Sequence, residues 1–395
     1  MTEWRKVKLG DVVSIKSGLS YKSEYIGKGD NLLLGMGCVS YKEKFVESGA
    51  RPYSQDCDPK YLAVPGDIVL ATRQQSDNLP ILAMPAIIPE KYSGRKIIIG
   101  TNLYKVENNS DIDNRFLYWV LKGKDYVNYI RGVKTGTTVQ MVSKRNVEEY
   151  HFLCPPKSVR DRIVSILSRY DALIENYQRQ IKLLEEAAQR LYKEWFVDLR
   201  FPGHQSTPII NNHPQSWQKK KLGEILVFFD KKRKPLSSMQ RMSMEKIYPY
   251  YGAATLMDYV DDYLFDGIYL LFGEDGTVIT PDNFPVLQYV WGQFWVNNHA
   301  HVLRGANGIS TEYLYMMFKE MPISDVVTGA AQPKISQGRL SEKSIILPSI
   351  ELIQKWSSIT KPFFDSIRNK SEQIRNLSEA RDRLLPKLMS AEIEV

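Results

Sequence analysis

The sequence predicts an α+β protein built twice: two pseudo-symmetric mixed α/β domains separated by two long helices that pack together as an antiparallel coiled coil. Three observations predict it. The chain repeats itself from end to end. Each copy changes texture part-way, from short punctuated runs to one long periodic run. Both long runs carry an apolar seam spaced alternately four and three residues apart.

The repeat fixes the organisation. Trp4-Arg-Lys-Val-Lys-Leu9-Gly10-Asp11 returns as Trp217-Gln-Lys-Lys-Lys-Leu222-Gly223-Glu224. Ile68-Val-Leu70 matches Tyr269-Leu-Leu271, Asn102 and Val106 match Asn298 and Val302, and Thr135-Gly136 matches Thr328-Gly329. The offset falls from 213 (217 − 4) to 193 (328 − 135), as collinear copies give when the second has lost loops. A chain of 395 residues suits two domains plus connecting elements. We place the domains at 1–154 and 217–347, the helices at 155–200 and 348–395, and a linker at 201–216.

Within the globular parts, Gly66-Asp-Ile-Val-Leu70, Lys96-Ile-Ile-Ile99 and Gly267-Ile-Tyr-Leu-Leu271 read as strands. Phe116 to Lys122 and Tyr313 to Lys319 read as short helices. The first long run has its seam at Leu167, Tyr170, Ile174, Tyr177, Ile181, Leu184, Ala188, Leu191 and Trp195, the spacing of a coiled coil. Ser158 with Asp161 resembles a capping box, and Pro202-Gly203 ends the run. The second run aligns to the first without a gap, with Asn176/Asn369, Gln180/Gln373, Arg190/Arg383 and Leu191/Leu384 identical. Its seam is Trp356, Thr360, Phe363, Ile367, Lys370, Ile374, Leu377, Arg381, Leu384 and Leu388, with Pro362 expected to kink or interrupt its first turns. Packing the two seams on each other buries both, and pseudo-two-fold symmetry makes the pair antiparallel.

Composition narrows the function. The net charge of +8 favours a polyanionic partner. Cys38, Cys57 and Cys154 form no CxxC pair, which speaks against a disulfide framework or a zinc ribbon. The charged start Met1-Thr2-Glu3-Trp4 has no apolar leader, and the apolar window Leu79 to Ile88 is too short to span a bilayer, so a cytoplasmic protein without a membrane partner is expected. No phosphate-binding glycine loop occurs, and Cys154-Pro155-Pro156-Lys157 lacks the polar and aromatic residues that hold a target amino group. No metal is expected: His299 and His301 could share a strand face, but no third ligand is evident.

The recognition chemistry sits in loops. Alignment at an offset of 201 (274 − 73) sets Thr72-Arg73-Gln74-Gln75-Ser76 opposite Gly273-Glu274-Asp275-Gly276. Arginine is a bidentate donor to guanine, glutamine suits adenine, and a carboxylate accepts from cytosine N4. Related domains with opposite chemistry in one loop would read different bases, although solvated charges on a turn explain any single residue as well. The polar turn Thr135 to Gln140, with Thr137, Thr138 and Gln140, has its partner in Thr328 to Lys334, with Gln332 and Lys334. Asn102 and Asn298 are further candidates. Lys219 to Lys221 and Lys231-Lys232-Arg233-Lys234 could neutralise phosphates or simply be solvated, and Tyr251 could stack on bases or belong to the core.

Taken in order and twice over, these features resemble the specificity subunit of type I restriction-modification enzymes. The resemblance rests on the Trp-x-x-x-x-Leu-Gly-[Asp/Glu] opening of each half, Tyr250-Tyr251-Gly252, the Gly273 to Gly276 turn, the apolar-x-Pro approach to each helix (Leu153-Cys-Pro155 and Ile346-Leu-Pro348) and the shared helix residues. It implies two target recognition domains, each reading one half of a split double-stranded DNA site, with the helices as conserved spacers. It implies two methyltransferase (modification) subunits as partners, with two restriction subunits able to join. S-adenosylmethionine, ATP and magnesium would sit on those partners and none on this chain, which would be non-catalytic. The alternatives are an orphan protein that competes for modification subunits, or a fused methyltransferase or nuclease.

Overall fold

The computed structural model describes residues 4–41, 43–75, 81–329 and 332–395; Ser76 of the first loop, and Ala330 and Ala331 of the second turn, lie outside them. The chain forms two compact units, one comprising Met1–Ile174 with Arg375–Val395 and the other Glu175–Ile374. Each unit therefore contains one globular domain and a segment of each long helix.

The first globular domain holds two four-stranded sheets. One has the order Val13–Ser17, Leu103–Asn108, Ile68–Ala71, Pro85–Ile87, all antiparallel. The other has the order Ala50–Tyr53, Ile26–Leu34, Ile97–Ile99, Leu62–Ala63, with a parallel pair at its centre. The second domain repeats both. Leu226–Phe228, Ala300–Gly305, Tyr269–Gly273 and Leu287–Val290 make the antiparallel sheet. Leu256–Val260, Tyr248–Tyr251, Gln293–Val296 and Phe265–Asp266 make the mixed one. Ile68, Val69, Leu70 and Ala71 are all buried, which explains their continuous apolar run. The helices Asn114–Lys122 and Thr311–Lys319 are capped by Asp113 and Ser310 side chains and bury Phe116, Trp119, Tyr313 and Phe318 against the sheets. The expected linker contains a short hairpin, Ile209–Ile210 with His213–Pro214.

The long helices span Lys157–Tyr192, followed by a π-helical turn to Val197, and Ile350–Met389. In the second unit Tyr192 meets Trp356 (ring centroids 6.0 Å) and Tyr177 meets the Lys370 ammonium (5.0 Å), so the two segments run antiparallel. In the first unit, Ile163 and Leu167 near the start of one helix share a core with Leu385 and Leu388 near the end of the other. Leu167, Ile174, Ala188, Trp195, Ile367 and Leu388 are buried, and Tyr170, Tyr177, Ile181, Leu184, Leu191, Phe363, Ile374, Leu377 and Leu384 are half-buried. Two expectations are corrected. The helix passes through Pro362 without interruption, because buried Trp356, Thr360 and Phe364 hold its turns while only one backbone donor is lost. Ser158 lies inside the first helix rather than capping it, and Asp161 instead pairs with Lys157 at 2.7 Å.

Among the described residues, no helix is long and apolar enough to cross a membrane.

Candidate nucleic-acid interface

In the first unit, strand Ile68–Ala71 runs out into a loop frame fixed by backbone pairing. The Thr72 N–H donates to Asn102 O (3.1 Å), and its hydroxyl donates to the same oxygen (3.2 Å). Arg73 and Gln74 pair antiparallel with Met141 and Gln140. Thr135 and Met141 exchange backbone hydrogen bonds of 2.9 and 2.8 Å, closing a turn at whose start Gly136 adopts φ +90°. Gln75, Thr137 and Thr138 are exposed around this frame.

The second unit builds the same frame. Glu274 N–H donates to His299 O (2.9 Å), Asp275 faces Lys334, and Thr328 and Lys334 exchange bonds of 2.8 and 2.7 Å. Gly329 takes φ +83°, and Ile335 N–H donates to Glu274 O as Val142 N–H donates to Thr72 O. Asn298, Gln332 and Lys334 are exposed.

These pairings correct the loop alignment by one residue. Arg73 is opposite Asp275, Thr72 opposite Glu274, and Asn102 opposite His299 rather than Asn298. One position matters, because a one-residue slip exchanges which side chains face a given side. Tyr104 and His301 then correspond, and they do the same work: the Tyr104 hydroxyl donates to Val142 O (3.1 Å), and His301 Nε2 donates to Ile335 O (2.8 Å).

The frames carry different side chains. Gln74 is buried; its amide donates to Gln140 Oε1 (2.6 Å) and accepts from the Ile81 and Leu82 N–H groups (2.9 Å each). It anchors the loop and is not free to read a base, contrary to the sequence expectation. Arg73 is half-buried and, among the described residues, has no carboxylate partner; its Nε and the nearby Asn102 Oδ1 both lack a hydrogen bond. Glu274 is also an anchor: Arg233 Nη1 donates to it at 2.5 Å and to Ala300 O at 2.6 Å. Arg233 therefore turns inward from its basic run, while Lys232 stays exposed over the Phe229 ring. Tyr251 packs edge-on to Phe294, and burial pushes its hydroxyl up to about 12, so it belongs to the core.

Asp230, missed in the sequence, accepts from Val302 N–H (2.9 Å) and His301 Nδ1 (2.6 Å). Burial alone would raise its carboxyl, but these bonds and the charges of His301 and Arg233 outweigh it and hold Asp230 below the usual carboxylate range. Asp230, Glu274 and His301 lie close enough to bracket a cation, yet the Arg233 guanidinium already supplies that positive charge. His299 instead pairs with Asp275 at 2.5 Å.

The family model described as the type I restriction modification DNA specificity domain matches this chain twice, over residues 1–186 and 214–378. The type I restriction enzyme MjaIX specificity subunit of Methanocaldococcus jannaschii is 23% identical across 100% of this chain and 94% of that protein. A putative type I restriction enzyme specificity subunit of Haemophilus influenzae is 32% identical over 34% of each chain. The crystal structure of a type I restriction-modification S subunit from M. genitalium shares the fold, with a TM-score of 0.52 at 18% identity, over 98% of this chain and 96% of that one.

Proposed function

The chain belongs to the type I restriction-modification DNA specificity family, and from that premise we propose that it reads a bipartite double-stranded DNA site, one half per globular domain, and directs partner modification subunits to it. One observation carries this reading. A single hydrogen-bonded loop frame is built twice, and the positions it holds in common carry Arg73 and Met141 in one copy but Asp275 and Lys334 in the other. A conserved catalytic device would keep its chemistry; a pair of base readers changes it. Residues 1–154 and 217–347 are the two readers, and the helices at 155–200 and 348–395 set their spacing. Helix side chains left exposed, such as Leu183 (57%), offer apolar area for docking, and the repeated helices suit two identical modification subunits.

The chain is non-catalytic in this account. S-adenosylmethionine belongs to the modification subunits, and ATP and magnesium to restriction subunits that join them in the cytoplasm. The carboxylates nearest the loops support this, being bound to Arg233 and His299 rather than free to act as bases. A gel-shift series with the chain bound to its modification subunit tests the reading. Scrambling either half of the methylated site should weaken binding independently; equal affinity for scrambled and intact duplexes would refute it.

A further inference from the structure

We propose that the two readers are held by chemically different hubs, Gln74 in the first unit and Arg233 in the second, and that each is a positioning residue for its own half-site. The inference rests on the DNA-reading proposal and deepens it.

The different hubs follow from one change in the frame. In the first unit, Thr72 satisfies its own hydroxyl by donating to Asn102 O, so the frame needs no charge. The neutral Gln74 amide then does the joining. Its NH₂ group reaches Gln140 on the polar turn, and its oxygen uses both lone pairs on Ile81 and Leu82 N–H. Strand, turn and returning chain are thereby joined through a neutral amide.

In the second unit the equivalent of Thr72 is Glu274, a half-buried carboxylate that must be compensated. Arg233 compensates it and ties three segments together: Nε donates to Asp230 O (3.1 Å), while Nη1 donates to Glu274 (2.5 Å) and Ala300 O (2.6 Å). His301 extends the network to Ile335, whose own N–H is bonded to Glu274 O. The exposed groups this hub holds in place are Asn298, His299 and Lys334, with Asp275 against His299. Among its basic neighbours, Lys231, Lys232 and Lys234 are exposed and only Arg233 is inside. Arg233 therefore acts on specificity through the loops rather than by touching phosphate.

Selection from duplex libraries with one half-site randomised at a time, using the chain assembled with its modification subunit, tests this. Arg233→Met should cut base discrimination at the second half-site by roughly ten-fold or more, the range of a lost base contact, and leave the first within about two-fold. Gln74→Met should do the reverse. Arg233→Lys keeps the charge but not the fork, and should retain part of the discrimination. If Arg233→Met fails to assemble, Glu274→Gln, which preserves shape, should still relax the second half alone. Parallel loss at both halves, or full discrimination in the variants, would overturn the inference. A wild-type assembly without preference at either half would instead overturn the DNA-reading proposal itself.

Discussion

The ion pair buried where the helices meet in the first unit gives a sharp energetic test. Asp171 is 3% exposed and accepts from Arg381 Nη1 at 2.8 Å, and Lys44 Nζ lies 2.8 Å from its other oxygen. Arg381, 7% exposed, also bonds Asp382 and lies 5.4 Å over the Trp119 ring. Removing one partner of a buried pair costs ~3–5 kcal/mol, because the other charge stays buried. Lys44 still faces Asp171, so Arg381→Met should cost about 3 kcal/mol, the lower end of that range. The repeat supplies the control. The helix positions corresponding to Asp171 and Arg381 are Phe364 and Ala188, 1% and 0% exposed, so the same packing is met there without charge. Asp171→Leu combined with Arg381→Met should therefore regain most of the loss and come within about 1 kcal/mol of the wild type. Urea unfolding of the three proteins measures this. A single variant costing under about 1 kcal/mol, or a double variant no better than the single, would refute the reasoning.

Three further outcomes are expected. A Cβ on Gly136 would sit 2.2 Å from Val139 O, and one on Gly329 2.3 Å from Gln332 O; Gly136→Ala should blur the first half-site and Gly329→Ala the second, as read by binding to mismatched duplexes. Arg73→Leu should cost ~1–3 kcal/mol of binding at the first half-site only, measured by titration against half-site-scrambled DNA. Burial and the Arg381 charge push Lys122 down to about 8, against the opposing pull of Asp382 and Asp171. The fold is then penalised while Lys122 is charged, so stability should rise as pH goes from about 8 towards the unfolded value of about 10.4, and Lys122→Met should abolish that rise in thermal melts.

The architecture was legible because its signals are local. The helical seams repeat every few residues, and the offset between copies can be followed through short matches such as Leu117-Tyr118 with Leu314-Tyr315. The loop chemistry was half legible. A reversal of charge between the loops was visible, but the residues opposed were off by one, because backbone pairing between distant segments sets the register: Gln74 meets Gln140 across 66 residues. The same distance hid the anchors. Arg233 reads as one cation in a surface run until Glu274 is seen 41 residues away, and Asp230 has no visible role without His301, 71 residues on. Asp171, beside seam residue Tyr170, looks like a solvated charge; its partner Arg381 is 210 residues away.

Methylome sequencing of a host that expresses this chain with its modification subunit tests the central claim most directly. The account predicts DNA methylation within one split motif, two defined half-sites separated by a gap of fixed length. Methylation at a single contiguous motif, or without sequence preference, would contradict it.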